Sequence, residues 1–319
     1  MKMQHRFWLF ALLSGCAPPS FDPSSYVDSV RVLAVQSDAP YASPGQTVTS
    51  EALVVDGRAT QAAPVQVFWL PEPCLNPPDD AYYGCFAGLS EQFRPGTDIG
   101  PELSAGTRFS FQMPQDVIVP HPRSDTPYGL AVLFTIACAG QVRYLPPQPG
   151  GSPDAVPFAC FGDAGEQLGT DAFVFAYSLV YSFSDRENHN PELTQLTFGG
   201  VAVDPAAGIT VSHCAKSKES DCSATKLDVV VPDSSQEPDP SNRDAAGAIL
   251  KEQLTVQYLA TAGAIQNDIT VVFDPRQGRL ANTGDEYRAP RAAGEYRLWA
   301  VLRDNRGGTS SLEVPLHVQ

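Results

Sequence analysis

From Val30 onward the chain is a succession of short runs in which apolar and polar residues alternate, cut apart by Pro, Gly and Asp. Alternation with period two over a handful of residues is the pattern of a half-buried strand, and sustained 3.6-residue periodicity is almost absent. In the first half the runs are Val30–Val35, Gln46–Val55, Val65–Leu70, Arg108–Met113, Tyr128–Cys138 and Phe173–Phe183. In the second half they are Leu193–Val203, Gly208–Val211, Lys226–Val231, Gln253–Ala260, Ile269–Phe273, Gly294–Arg303 and Ser310–Val318. So many short strands at this turn spacing predict an all-β protein made of two β-sandwiches. Val67, Trp69, Leu133 and Phe134 are expected core residues.

The polar stretch Ser184–Pro191 separates the halves and ends in a proline, as a linker should. The expected sandwiches are therefore 29–184 and 191–319, standing end to end. Two connections, 71–107 and 139–170, exceed hairpin length, which marks them as functional or disordered. The acidic stretch Pro232–Asp244 reads as a solvated loop, and Ala245–Lys251 as one or two helical turns.

The first 28 residues follow different rules. Lys2 and Arg6 precede a short apolar run, Phe7 to Leu13, which closes on Leu13-Ser14-Gly15-Cys16. A basic start, an apolar core and small residues at the cut make a secretory signal peptide, and the apolar run is too short for a span of ~20 residues. The cysteine directly after the small residues resembles the lipobox of bacterial lipoproteins. That resemblance implies removal of 1–15 and acylation of the Cys16 thiol, so the bilayer becomes a partner through the lipid. Residues 16–28, rich in Pro and Ser, are expected to be a flexible tether. Ala17 after the cysteine, in place of Asp, points to the outer membrane.

Loss of the leader, with Lys2 and Arg6, takes the net charge from −15 to −17. A surface this acidic excludes nucleic acid as a partner. Of seven cysteines, Cys16 is set aside and six remain, an even number in an exported chain, which predicts disulfides. Sequence neighbours suggest Cys74–Cys85, Cys138–Cys160 and Cys214–Cys222, among 15 connectivities that six cysteines allow. No CxxC pair supports zinc.

Two segments carry a further resemblance. Val30–Val55, with its turn Ala42-Ser43-Pro44-Gly45-Gln46-Thr47-Val48, resembles the opening of bacterial immunoglobulin-like modules. Tyr287-Arg288-Ala289-Pro290, Gly294-Glu295-Tyr296 and Arg303-Asp304-Asn305-Arg306-Gly307-Gly308 resemble the final hairpin of such domains. The whole is similar to the large surface lipoproteins of myxobacterial-type bacteria, most without assigned activity. The resemblance implies immunoglobulin-like sandwiches in the cell envelope and says nearly nothing about function.

Catalytic motifs are missing: no GxSxG, HExxH, GxxxxGK[ST] or GxGxxG occurs. Ser223-Ala224-Thr225-Lys226 fits SxxK, but a strand there would set Ser and Lys on opposite faces. Asp79-Asp80 is a carboxyl pair, and an acidic turn is its simpler reading. Asp185-Arg186-Glu187-Asn188-His189-Asn190-Pro191 resembles the cadherin calcium linker. Asp185, Glu187, Asn188 and Asn190 would be the oxygen donors, but an acidic ligand is lost and an imidazole gained, so a plain hinge without metal is expected.

No cofactor is expected. The favoured function is a non-enzymatic surface scaffold or binding module for another envelope protein or a polysaccharide. Tyr82, Tyr83 and Phe86, held by the Cys74–Cys85 loop, are the candidate contacts, the alternative being that they fill the space under that loop. The alternatives are a polysaccharide-acting hydrolase with its site in 139–170, and a passive spacer.

Overall fold

The computed structural model describes residues 23–61, 63–122, 124–146, 150, 152, 154–267 and 269–319. Cys16 and its lipobox lie outside the described residues. The protein is all-β, built of immunoglobulin-like sandwiches. The first half holds β1 (Val30–Ser37), β2 (Thr47–Asp56), β3 (Gln66–Trp69), β4 (Cys74–Leu75), β5 (Ser104–Ala105), β6 (Arg108–Gln112), β7 (Gly129–Cys138), β8 (Gln141–Tyr144), β9 (Phe158–Phe161) and β10 (Phe173–Ser182). They form a three-stranded sheet β1-β2-β6, a five-stranded sheet β10-β7-β3-β5 with β4 also on β7, and the hairpin β8-β9.

The second half holds β11 (Gln195–Phe198), β12 (Val201–Ala202), β13 (Ile209–Val211), β14 (Thr225–Val230), β15 (Pro238–Arg243), β16 (Ile249–Lys251), β17 (Leu254–Ala260), β18 (Ala264–Ile265), β19 (Thr270–Asp274), β20 (Gly278–Arg279), β21 (Asp285–Arg288), β22 (Gly294–Asp304) and β23 (Thr309–Val318). Here a sheet β12-β11-β14-β21-β18 faces a sheet β13-β23-β22-β17-β19-β20, and β15-β16 is a separate hairpin.

β7 explains much of the first half. All ten of its residues are buried. Leu130, Val132, Phe134 and Ile136 enter one apolar cluster, while Ala131 and Leu133 enter another on the opposite face. A strand apolar on both faces needs cover on both. The three-stranded sheet covers one face, through Val48, Ala52, Phe109 and Phe111. The two long connections cover the other. Phe86, Leu89, Phe93, Ile99 and Leu103 from 71–107 pack there with Val142, Tyr144 and Phe158 from 139–170. The connections also bond to each other, Gly96 N to Tyr144 O at 2.9 Å and Ile99 N to Val142 O at 2.9 Å. Cys74–Cys85 and Cys138–Cys160 tie this cover down, and Cys214–Cys222 closes a loop of the second half. These are the neighbour pairings, and each bridge contributes roughly 2–4 kcal/mol.

The two sandwiches are stacked face to face rather than end to end. β22 sends Leu298, Ala300 and Leu302 into its own core, and Trp299 and Val301 out of the other face. There they meet Leu259 of β17 and, from the first half, Val27, Leu33 and Ala34, with Leu53 and Val55 half-buried at the margin. The sheet β1-β2-β6 therefore lies between two apolar layers. The described part of the expected tether, 23–28, is not free. Val27 N donates to Ala260 O and Ala260 N to Ser25 O, both at 2.9 Å, and Val27 is buried. The single apolar residue of PSSYVD that matters is Val27, which fills the junction layer.

Two local readings are corrected. The acidic stretch 232–244 does not float: Pro238–Arg243 pairs with Ile249–Lys251 as a hairpin, and Gln236 and Asp239 are buried. Gln236 Nε2 bonds Glu252 O and Asp274 O, so polar side chains replace the missing apolar ones. The run Leu193–Val203 folds as the hairpin β11-β12, because Gly199 and Gly200 take positive φ (60° and 80°), the geometry of a two-residue hairpin turn.

Trp299→Ala removes the largest side chain of the junction layer. We expect a loss of about 3–5 kcal/mol. We also expect wild type to unfold in urea in one transition, coincident by fluorescence and circular dichroism. Two separated transitions in wild type would show that the layer does not couple the sandwiches.

Candidate binding site at the junction of the two sandwiches

The β22–β23 turn, Asp304 to Thr309, builds the polar side of the junction. Asp304 Oδ1 accepts from Arg306 N (2.7 Å) and Gly308 N (2.8 Å), which shapes the turn. This aims Arg306 inward, where only 4% of its side chain is exposed. Its guanidinium donates to Glu252 through Nε (2.8 Å), to Glu237 through an Nη (2.8 Å) and to the Glu187 carbonyl (3.1 Å), and lies over the Tyr41 ring.

The linker folds around the same group. Asn188 is buried and donates to Asp304 (3.1 Å). Asn190 bridges the halves, donating to Ser37 O (2.7 Å) and accepting from Thr309 N (2.9 Å). Arg186 reaches Ser241 and Thr126 Oγ1. Ser184–Pro191 is thus a bonded joint rather than a plain hinge. Asp185 and Glu187 point to solvent while Asn188 and Asn190 point inward, so the four calcium donors considered from the sequence do not converge. The cation at this joint is Arg306, and among the described residues no group of three or more His, Cys, Asp or Glu could hold a metal.

Two carboxylates, Glu252 and Glu237, share that one guanidinium and the Asp304 carboxylate lies close by, which leaves surplus negative charge at the joint. Burial, reinforced by the Asp304 charge, pushes Glu252 up to about 7, against the pull of the Glu237 amide and Arg306. Burial likewise raises Asp304. Burial works against the Arg306 charge, but Glu252, Tyr41 and Asp304 together more than restore it and the net direction is up.

Beside this joint lies an open cleft of about 540 Å³. Its walls are β1 (Val32–Val35), β10 (Ala176–Leu179) and the β22–β23 turn with Arg303, Asn305 and Gly307. Arg303 donates to Gln257 Oε1 and to Leu33 O and has no carboxylate partner among the described residues; burial alone depresses its pKa. Tyr177, 48% exposed, lies on the rim and stacks on Tyr82 (4.5 Å between centroids), which in turn meets Tyr83, 43% exposed.

Of the aromatics expected as contacts, Tyr82 and Tyr83 therefore join a surface patch. Phe86 does not, since it is buried against Phe134 and Phe175 in the outer core. Tyr177 was missed because it sits in a run that alternates like any core strand. Asp80 bonds Tyr128 Oη, faces His121 Nδ1 at 3.3 Å and pins the loop to the start of β7, together with Asn76, which bonds Leu130 N and Val117 O. Lys226 lies on β14 paired to Asp228 while Ser223 precedes the strand, so SxxK does not open a helix.

Comparison with known proteins adds distant structural likenesses only. No family model matches the chain, and no curated protein matches it. Among solved structures, it is similar to the fibronectin(III)-like modules of CbhA from Clostridium thermocellum, at 10% identity and a TM-score of 0.23, covering 90% of this chain and 94% of that one. The FN1–FN3 domains of chicken CNTN1 are similar at 9% identity and 0.17, covering 91% and 98%. Extracellular domains 3–5 of Drosophila OTK are similar at 10% and 0.18, covering 93% and 100%. The sheet topology above defines the fold independently of these superpositions.

Arg306→Met strands Glu252 and Asp304 without their cation, and we expect a loss of about 3–5 kcal/mol by denaturant titration. The pH dependence has a definite sign. A carboxyl held near 7 when folded, against 4.5 in its ordinary state, takes up a proton on folding. Its contribution is present at acid pH and lost as pH rises through about 7. The melting temperature of wild type should fall between about pH 5.5 and pH 8, and Glu252→Gln should flatten that slope. An unchanged slope in Glu252→Gln assigns the titration to another group.

Proposed function

We propose that this protein is an exported, lipid-anchored scaffold of the bacterial cell envelope, held at the outer membrane, that binds another envelope component and has no chemistry of its own. The observation that carries the binding reading is the Tyr82–Tyr83–Tyr177 patch on the rim of an open cleft, set on a frame rigid on every side. Aromatic rings held by a disulfide-closed loop and a sheet edge lose little entropy on contact, which is what a binding surface needs. Three disulfides suit an oxidising compartment. The Leu13-Ser14-Gly15-Cys16 pattern supports the anchor. Face-to-face stacking shortens the molecule, which weighs against a role set by reach alone. The described strands of the 139–170 insertion, β8 and β9, pack on β7, which weighs against a hydrolase site on them.

Cys16→Ala should move the protein from the membrane pellet to the soluble fraction. Pelleting as wild type does removes the anchor from this reading. Cross-linking and pull-down from solubilised envelope should recover a partner, and Tyr83→Ser should weaken that capture roughly tenfold, as for a central aromatic contact. Equal capture would place the contact elsewhere.

A further inference from the structure

β10 is an edge strand whose outer side is left open. Tyr181 N donates to Pro40 O and Tyr181 O accepts from Ala42 N, and at the other end Asp171 O accepts from Val30 N. Odd-numbered residues of β10 thus direct their backbone groups away from β7. The other side of β7 agrees, since Leu130 and Phe134 present theirs to Asn76 and Leu70. Between the two ends the odd residues are Phe173, Phe175, Tyr177 and Leu179. Among the described residues, none meets the outward groups of Phe175, Tyr177 and Leu179 with a hydrogen bond.

β1 runs parallel alongside but is diverted there by a bulge between Val32 and Ala34. Its own free carbonyls at Leu33 and Ser37 are taken by Arg303 and Asn190. The outward groups of β10 from Phe175 to Leu179 have no such hydrogen-bond partners among the described residues. β10 pairs with β7 over ten residues without a register shift, and carries no charge, proline or bulge. Long, regular, uncharged edges are the ones that recruit another strand.

We propose that the edge of β10 from Phe175 to Leu179 receives an extended segment of a partner protein by strand addition, with an Asp or Glu of that segment paired to Arg303. The occupant follows from the surroundings. The edge is recessed between β1, the Gly307 turn and the Tyr82–Tyr177 stack, so a second copy's equally recessed edge cannot reach it, whereas a single extended segment can. The cleft of about 540 Å³ holds a few residues. Arg303 lines it with no carboxylate partner of its own, and supplies charge complementarity on an otherwise acidic molecule. Main-chain bonds then give affinity, and Arg303 and the tyrosines give selectivity. This rests on the binding-module reading and narrows its partner to a protein.

The test uses the purified full chain and acetylated, amidated heptapeptides of alternating Thr and Val, with Glu placed at each position in turn and Gln counterparts. At least one Glu peptide should bind with a Kd below about 1 mM. It should slow amide exchange at Tyr177 and Leu179, and lose at least tenfold when its edge-facing amides are N-methylated. Tyr177→Pro deletes one outward N–H without touching the β7 ladder, and should cost at least tenfold more binding than Tyr177→Ala, which deletes the ring alone. Arg303→Gln should erase the preference for Glu over Gln. Strand docking is overturned if no peptide binds at about 1 mM, if N-methylation has no effect, or if self-association abolished by Tyr177→Pro shows a second copy on the edge. Capture of the envelope partner by Tyr177→Pro at the wild-type level also overturns it and leaves the broader module reading standing. Absence of any envelope partner defeats that reading while the peptide arm still reports on the edge.

Discussion

The structure depends on sheets that are apolar on both faces. β7 has an inner and an outer core, and the sheet containing β1 and β2 has a core on one side and the junction layer on the other. Apolar area left open to water costs about 25 cal/mol per Å² relative to burial. Each two-faced sheet therefore forces something onto its second face. For β7 that is the pair of long connections, stapled by two disulfides. For β1 and β2 it is the back of the β22–β17 sheet, and this turns two sandwiches into one stack.

The polar joint completes what the apolar layer begins. Trp299, Val301 and Leu33 bring the halves together without direction. Arg306, Asn188 and Asn190 add direction, because each needs partners from defined places: Glu252 and Glu237 on one side, Ser37 on the other. The arrangement resembles a metal-bridged linker in logic, with oxygens of the linker and the second sandwich and the Tyr41 ring of the first around one cation, but the cation is covalently part of the chain. A guanidinium cannot be chelated away, so the joint is permanent under conditions that would loosen a calcium site.

The same joint accounts for where a ligand could bind. By bonding the free carbonyls of β1, the second sandwich protects that edge, and by holding the β22–β23 turn against Leu179 it leaves β10 recessed and open. A binding edge and a protected edge thus lie side by side, separated by a single bulge.

Much of this was legible in the chain. Strand identity followed from short apolar or alternating runs cut apart by Pro, Gly and Asp, and Tyr128–Cys138 or Gly294–Arg303 fold almost as read. The neighbour cysteine pairs followed from an even number of cysteines at short separations. The alternation could not say what lies on the far side of a strand: Trp299 and Val301 look like core residues whether they face their own sandwich or another. Arg306 reads as a surface residue of a Gly-rich turn until Glu252 and Glu237, more than fifty residues away, arrive around it. Phe86 and Tyr83 are equivalent in the sequence, and only packing against Phe134 separates core from patch. Sequence alone determined most of the longer strands and the cysteine pairs, because those depend on local periodicity and short separations. The stack, the buried guanidinium and the open edge were decided by tertiary structure, because each exists only where residues distant in the chain exclude the same water.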